Sequence, residues 1–300
     1  MTLGGRGVMR AKKGQVDLAI EDFVAAREIS RKVVNEPLMI GMLVSIAIDA
    51  ISLTAIEHYV AEWKGDPRKL LKLEKAILQT QCKKDPTMSL RSEFYMNLVV
   101  CRNLKAFGGL GAITGTAHGT IPAPPHPSSL SRSGLPSGMF ERASLAAMAD
   151  IWNETFTAIE TKGIRESRWA DVIEKRMLKV ESDSKTSEIL AKILLPDFAQ
   201  ADIALHNDDV SQDLALAFVR TFRFQAENGR WPKSLAEIEC DFPDPLNQGK
   251  PIQARFGDYE VRLWSVGRNK TDDGGLYRGE DPKRNTDDTV YVWPARRPRP

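Results

Sequence analysis

The last third of the chain constrains the fold most, because residues 222–293 carry turn signals at close and regular intervals. Asn228-Gly229 is a left-handed helix stop, and Pro232 follows it. Apolar and polar residues then alternate over 252–256 and 259–266 around Gly257-Asp258, which predicts two strands joined by a two-residue turn. Residues 289–293 predict a third strand. Upstream, Asp209 and Gln212 form a capping-box pattern that predicts where the preceding helix begins.

The same stretch resembles the globular domain of the major pseudopilins of type II secretion systems. The resemblance rests on three motifs and covers about a quarter of the chain: Gly229-Arg230-Trp231-Pro232, Asp244-Pro245 followed by Asn247 and Gly249, and Trp264-Ser265-Val266-Gly267. It implies one long helix packed on a short antiparallel sheet, followed by a calcium loop. With the helical pattern upstream, it predicts an α+β protein that is mostly helical.

Residues 267–288 form an acidic, glycine-bearing loop that predicts a calcium site. Calcium takes six to eight oxygen ligands, and glycines let such a loop bend carboxylates around one point. In the pseudopilin pattern, Asn269 stands at the first aspartate, Gly274-Gly275 at the glycine pair and Asp288 at the last aspartate, whereas Leu276 stands where the family has a glutamate. The predicted metal ligands are Asn269, Asp272, Asp273, Asp287 and Asp288. The alternative is a solvated acidic loop without a metal.

Composition excludes several other classes of function. Lysine and arginine number 42 against 40 acidic residues, so the net charge of +2 gives no field that attracts nucleic acid. Three distant cysteines show neither zinc nor redox spacing, and the histidines show no metal spacing. The phosphate-loop, dinucleotide-binding and nucleophile-elbow motifs are also absent from the sequence. We therefore expect no nucleic-acid partner and no catalytic residue that a motif identifies.

The N-terminal segment predicts a helical hairpin over residues 3–33. It weakly resembles one tetratricopeptide repeat, since small or aromatic residues fall at the expected positions: Gly7, Gly14, Ala19, Phe23 and Ala26. No second copy follows at a period of about 34 residues, so a repeat array is not predicted. Because Met1 falls almost inside the first helix, one hypothesis is that the printed start truncates a longer chain, and the sequence leaves this open.

Residues 38–56 are the most apolar window and a candidate membrane segment. Asp49 lies near its middle, however, and a charge at the bilayer centre costs about 3 kcal/mol. A central helix in a helical core is therefore preferred over membrane association through this segment. In that interpretation Asp49 needs a buried partner, which the sequence does not identify.

The pattern divides the chain into four parts. Residues 1–106 form a helical domain, 107–138 a flexible loop rich in glycine, proline and serine, and 139–207 a helical continuation. Within 1–106, Asp66-Pro67 and Asp85-Pro86 each predict a helix start. Residues 208–300 form the pseudopilin-like domain.

Two functions follow from these patterns. The first is a non-enzymatic interaction protein, associated with the cell envelope or secretion, that binds a protein partner and whose C-terminal domain calcium stabilises. The alternative is an enzyme with a carboxylate site in the helical domain, for example Asp49, Glu57 and Glu93. Localisation is left open: the printed start favours the cytoplasm, whereas a truncated start and the resemblance favour an extracytoplasmic setting.

Overall fold

The protein is α+β and mostly helical, as predicted, with one three-stranded antiparallel sheet near its C-terminus. The computed structural model describes residues 2–103, 137–164, 167, 169–183, 198–247, 249–267, 269–276, 280–281 and 286–294. Residues 107–136 of the predicted flexible loop lie outside the described residues, as do residues 184–197 of the predicted helical continuation.

The described helices are, in chain order, α1 Leu3–Lys12, α2 Val16–Val33, α3 Met39–Trp63, α4 Pro67–Thr80, α5 Thr87–Arg102, α6 Ser137–Lys162, α7 Trp169–Asp183 and α8 Phe198–Asn228. Two short 3₁₀ helices follow, Leu235–Ile238 and Pro245–Asn247. The strands are β1 Gln253–Arg255, β2 Val261–Ser265 and β3 Thr289–Trp293. The Asp66 carboxylate caps α4 through the N–H groups of Arg68 and Lys69, as its Asp-Pro start predicts.

The chain forms two compact units. The first contains residues 1–36, 40–84 and 203–300, and the second contains residues 37–39 and 85–202. The first unit thus joins the N-terminal helices to the C-terminal sheet. The boundary expected between residues 207 and 208 falls inside α8, and the four-part division from the sequence stays a prediction.

The hairpin predicted at the N-terminus is confirmed as α1 and α2. Ala19, Phe23 and Ala26 are buried, as their small and aromatic pattern requires. Gly7 is also buried, and a Cβ added there would overlap the Tyr59 hydroxyl of α3. Tyr59 donates a hydrogen bond to the Ala19 carbonyl at 3.3 Å. Glycine at position 7 therefore lets three helices meet around one tyrosine.

Helix α3 is long and apolar enough to cross a membrane by length and composition. In the first unit, however, it has the contacts of a core helix. Leu53, Ile56 and Tyr59 are almost fully buried, and Tyr59 stacks on Trp63 with ring centroids 5.2 Å apart. These contacts support the preferred interpretation of residues 38–56 as a core helix, and membrane association through them stays the less favoured prediction.

One long helix, α8, packs on the sheet. Phe218 lies against Tyr291 of β3 with ring centroids 5.6 Å apart, and Phe222 lies equally close to Trp293. The helix ends at Asn228, and Gly229 has φ +67°, so the predicted left-handed stop is confirmed. The predicted capping box is wrong, because Asp209 and Gln212 lie well inside the helix. Both residues are polar but buried inside the helix, and their spacing is the same as that of a capping box at a helix start.

The sheet has the order β1-β2-β3, with Arg255 opposite Arg262 and Arg262 opposite Val292. The predicted two-residue turn at Gly257-Asp258 is wrong, because residues 256–260 connect β1 to β2. The longer connection lets the Asp258 carboxylate accept a hydrogen bond from the Trp231 indole at 3.1 Å. The Gly-Arg-Trp-Pro turn after α8 is thereby attached to the hairpin.

The second unit has an aromatic core of its own. Trp152 of α6 stacks on Phe156 and meets Phe94 of α5 and Phe198 of α8. Trp152 is fully buried, so these ring contacts link α5 and α6 to the first residues of α8 within this unit.

Candidate metal centre

The acidic loop leaves the sheet at the end of β2, and Asp244 fixes that point. One oxygen of its buried carboxylate accepts from Leu246 N at 2.9 Å, within the Asp-Pro turn. The other accepts from Val266 N at 3.0 Å, just beyond β2. The carboxylate therefore joins the turn to the strand, which is a physical reason for an aspartate before Pro245.

Two glycines allow the loop to close. A Cβ at Gly267 would overlap both the carbonyl and the carboxylate of Asp287, so only glycine fits there. Gly275 has φ +78°, and a Cβ there would lie 2.8 Å from Arg262 Cδ and 2.9 Å from the Trp264 ring. Because neither position has a side chain, the two ends of the loop can meet at Gly267 and the backbone can approach the sheet at Gly275.

Three carboxylates converge where the two ends of the loop meet. Asp273, Asp287 and Asp288 each place one oxygen within 4.8 Å of the others. Asp273 comes from the first half of the loop, whereas Asp287 and Asp288 lead directly into β3. The three side chains, named below as the aspartate trio, are a subset of the five ligands predicted from the sequence.

Backbone N–H groups hold the trio in place. Asp288 Oδ2 accepts from Gly275 N at 2.9 Å and from Asp273 N at 3.2 Å. Asp287 Oδ2 accepts from Asn269 N at 3.2 Å, and Asp273 Oδ2 accepts from Asp287 N at 3.3 Å. Each bond crosses the loop, so the fold itself brings three negative charges together.

The remaining oxygens of two members are buried and unsatisfied. Oδ1 of Asp287 and Oδ1 of Asp288 have no hydrogen-bond donor among the described residues. Asp288 is only 4% exposed. A buried carboxylate oxygen without a partner is costly, and a bound cation or a proton is what removes that cost.

Burial raises the pKa of Asp288 to about 6. The N–H groups of Gly275 and Gly267 oppose this shift, while the negative charges of Asp273 and Asp272 add to it. Desolvation and like charge thus both disfavour the ionised aspartate, and a divalent cation would reverse both effects.

The structure places the other two predicted ligands beside the trio rather than in it. Asp272 Oδ1 accepts from the Trp264 indole and from Gly274 N, each at 2.9 Å. Asn269 Oδ1 accepts from Thr271 N at 2.7 Å, and its Nδ2 donates to Asp273 Oδ2 at 3.1 Å. Both side chains organise the loop in this arrangement, and ligation by either stays a prediction.

The trio offers the oxygen chemistry that calcium takes. Three carboxylates would supply three or more of the six to eight oxygens that calcium requires, with loop carbonyls and water for the rest. The trio contains no nitrogen or sulfur ligand, unlike the usual sites of zinc. The residues therefore fit a hard cation.

Sequence reasoning missed the residue beneath the loop, Arg262 of β2. Its guanidinium is buried and hydrogen-bonds the Gly275 carbonyl and the carboxylate of Glu280, both in the loop. A charged residue between Val261 and Leu263 on a buried strand was the available signal. Its partners lie 13 and 18 positions away, where no local pattern points.

A second charged cluster lies in the core of the first unit and supplies the partner that Asp49 needs. Asp49 pairs with Arg27 Nη1 at 2.8 Å and also with Lys84, which in turn pairs with Asp208 at 2.6 Å. Gln212 joins them, accepting from Arg27 and donating to Asp208. Burial raises the pKa of Asp208 to about 6, and Lys84 opposes the shift.

The carboxylates of the alternative enzyme hypothesis are engaged in different places. Asp49 belongs to the buried ion pairs just described. Glu57 lies eight residues further along α3, about 12 Å along the axis, and accepts from Val292 N. Glu93 lies in the second unit and accepts from Met39 N at 3.3 Å. Each carboxylate thus has a structural contact of its own.

No family model, curated protein or solved structure matches this chain. The pseudopilin and tetratricopeptide resemblances therefore rest on the residues and motifs that carry them.

Proposed function

We propose that this chain is a non-enzymatic interaction protein whose C-terminal sheet is stabilised by calcium bound to the aspartate trio. The observation that carries the proposal is the pair of buried, unsatisfied oxygens on Asp287 and Asp288, set within 4.8 Å of a third carboxylate. A cation there would bind both halves of the loop and fix the entry into β3.

Calcium is favoured over magnesium by the form of the loop. The ligands come from a glycine-bearing segment with irregular backbone, which suits the variable geometry and larger coordination number of calcium. Magnesium demands a near-ideal octahedron at shorter distances and keeps most of its water. We therefore expect tighter binding of calcium than of magnesium.

The interaction role has three supports. The N-terminal hairpin resembles a tetratricopeptide unit, a type of helical pair that binds proteins, and the sheet region resembles the pseudopilins of secretion systems. The structure adds an exposed apolar stripe on α3, formed by Ile40, Val44 and Ile51. An extracytoplasmic setting, where calcium is abundant, goes with this function, and a protein of the cell envelope or secretion machinery is the proposed partner.

Equilibrium titration of the EDTA-treated full chain with calcium and, separately, with magnesium tests the metal proposal. We expect saturable calcium binding at one site that Asp288→Asn abolishes or weakens at least about tenfold, since this substitution removes one of the ligand charges. Asp272→Asn keeps an acceptor oxygen for the Trp264 indole but removes the carboxylate charge. Unchanged calcium affinity in this variant would show that binding requires only the trio. Absence of calcium binding by the wild-type chain would overturn the proposal.

The interaction role is tested separately, by comparing the proteins that the wild type and Asp288→Asn capture in calcium and in EDTA. We expect a specific envelope or secretion component to be retained by the wild type in calcium and lost from Asp288→Asn. The same proteins in all four samples would contradict a role for the calcium site in binding.

A further inference from the structure

Arg262 is a buried cation in the middle strand of the sheet, directly beneath the acidic loop. It is 2% exposed and lies in β2 between β1 and β3, opposite Arg255 and Val292. Burying a guanidinium is costly unless it is paired and hydrogen-bonded. The contacts it makes in return indicate its role.

Two carboxylates bind the guanidinium, each through both of its oxygens. Glu260, just before β2, accepts from Nε at 3.0 Å and from Nη2 at 3.2 Å. Glu280, in the loop, accepts from Nη1 at 3.0 Å and from Nη2 at 2.9 Å. Such paired bonds fix direction as well as distance. They also cancel the positive charge of Arg262, which would otherwise repel a cation in the loop above it.

A further bond links Arg262 to the trio through one residue. Nη1 donates to the Gly275 carbonyl, and Gly275 N donates to Asp288 Oδ2 at 2.9 Å. The aliphatic part of Arg262 fills the space where a Gly275 side chain would be. Arg262 therefore sets the position of the peptide that holds Asp288.

We infer that Arg262 is the positioning residue of the cation loop: by binding Gly275 and Glu280 together, it holds the aspartate trio in the geometry that takes calcium, without contacting the ion. The inference rests on the proposed calcium site. It adds to that site residues that do not contact the ion but determine the affinity for calcium by holding the ligands in place. Outer partners of this kind commonly change metal affinity by about 10- to 100-fold.

The test compares two substitutions that remove the same kind of partner from Arg262. Glu280→Gln releases the loop, whereas Glu260→Gln weakens a pair that lies outside it. We expect calcium Kd of the full chain to rise about tenfold in Glu280→Gln and clearly less in Glu260→Gln. Arg262→Lys, which keeps the charge and loses the paired bonds, should weaken binding at least as much as Glu280→Gln. Thermal unfolding without calcium shows which variants are folded.

The outcomes separate the two proposals. If the wild type binds calcium and Glu280→Gln binds it equally well, or if both glutamine variants lose affinity equally, Arg262 has only a structural role and the inference is overturned. If the wild type binds no calcium, the proposed function fails and this inference fails with it.

Discussion

Glu57 of α3 accepts a hydrogen bond from the backbone N–H of Val292 in β3 at 3.2 Å, although the two residues are 235 positions apart. The bond caps the outer edge of the sheet with a side chain from the N-terminal helices. An exposed strand edge invites pairing with another chain, so Glu57 protects this edge while it joins helix to sheet.

The first prediction concerns the pH dependence of stability. Burial raises the pKa of Glu57 to about 7 from an ordinary 4.5, and the Val292 N–H opposes the shift. The folded state therefore holds a proton that the unfolded state releases between these values. The stability that protonated Glu57 contributes is complete below pH 4.5 and is lost as pH rises through 7. Burial raises the pKa of Tyr291 in β3, the negative charges of Glu57 and Asp208 add to this shift, and Arg27 opposes it.

Glu57→Gln removes this titration, so its stability relative to the wild type should rise between pH 5 and pH 8. We expect a rise of about 2 kcal/mol. This is less than the pKa shift multiplied by about 1.4 kcal/mol per unit, because the carboxylate is partly exposed. Urea unfolding of both proteins at the two pH values measures it. Because the difference is taken between two proteins, the other acids of raised pKa cancel. Parallel pH profiles would contradict the prediction.

The second prediction concerns the buried ion pairs. Asp49→Asn leaves Arg27 and Lys84 with a single carboxylate, so we expect it to destabilise the chain by about 3 kcal/mol at pH 7.5. Asp208→Asn should cost less at pH 7.5. Burial raises the pKa of Asp208 to about 6, so the stability that its protonated form contributes is lost as pH rises through 6, and the cost of Asp208→Asn should be larger at pH 5 than at pH 7.5. Urea unfolding of the wild type and the two variants at both pH values gives the four changes in the free energy of unfolding.

Asp17→Asn is the matched control, because it breaks an exposed pair with Lys72. It should change stability very little. Equal effects of the Asp49 and Asp17 substitutions on the free energy of unfolding would contradict the prediction, because the buried ion pairs would then stabilise the chain no more than the exposed pair.

The third prediction concerns the contact of Gly7 with Tyr59. Alanine inside a helix normally stabilises by about 1 kcal/mol relative to glycine. Gly7→Ala should instead destabilise by about 1–3 kcal/mol, because its Cβ would overlap the Tyr59 hydroxyl. Gly4→Ala in the same helix has its nearest neighbours at 3.6 Å and should not destabilise.

Tyr59→Phe removes the overlapping hydroxyl, so a double-mutant cycle should show that Gly7→Ala costs less in that background. Chemical denaturation of the four proteins measures the coupling. Additive effects would contradict the close approach of α1 to α3.

Local signals in the sequence were enough for some of the element boundaries and not for others. The stop at Asn228-Gly229 and the cap at Asp66 depend on neighbours within four residues, and both are confirmed. The start of α8 was misread because Asp209 and Gln212 are polar yet buried. The Gly257-Asp258 turn was misread because Trp231, 27 positions from Asp258, holds a longer connection.

The candidate site was only partly visible from sequence. The acidic loop and its glycines were evident, but which carboxylates converge depends on backbone bonds across the loop, such as Gly275 N to Asp288. Arg262 and the partners of Asp49 were beyond local reasoning. Arg27 meets Gln212 across 185 positions, and only the folded chain brings such residues together.

The central claim is that calcium stabilises the sheet through the aspartate trio. Its most direct test is thermal unfolding of the full chain in EDTA and in calcium, because the sheet shares its core with helices from residues 1–36 and 40–84. At 100 times its Kd, calcium should add about 2.7 kcal/mol and raise Tm by roughly 5 °C or more, with no rise in Asp288→Asn. Identical melts of the wild type in EDTA and calcium, or an equal rise in Asp288→Asn, would contradict the claim.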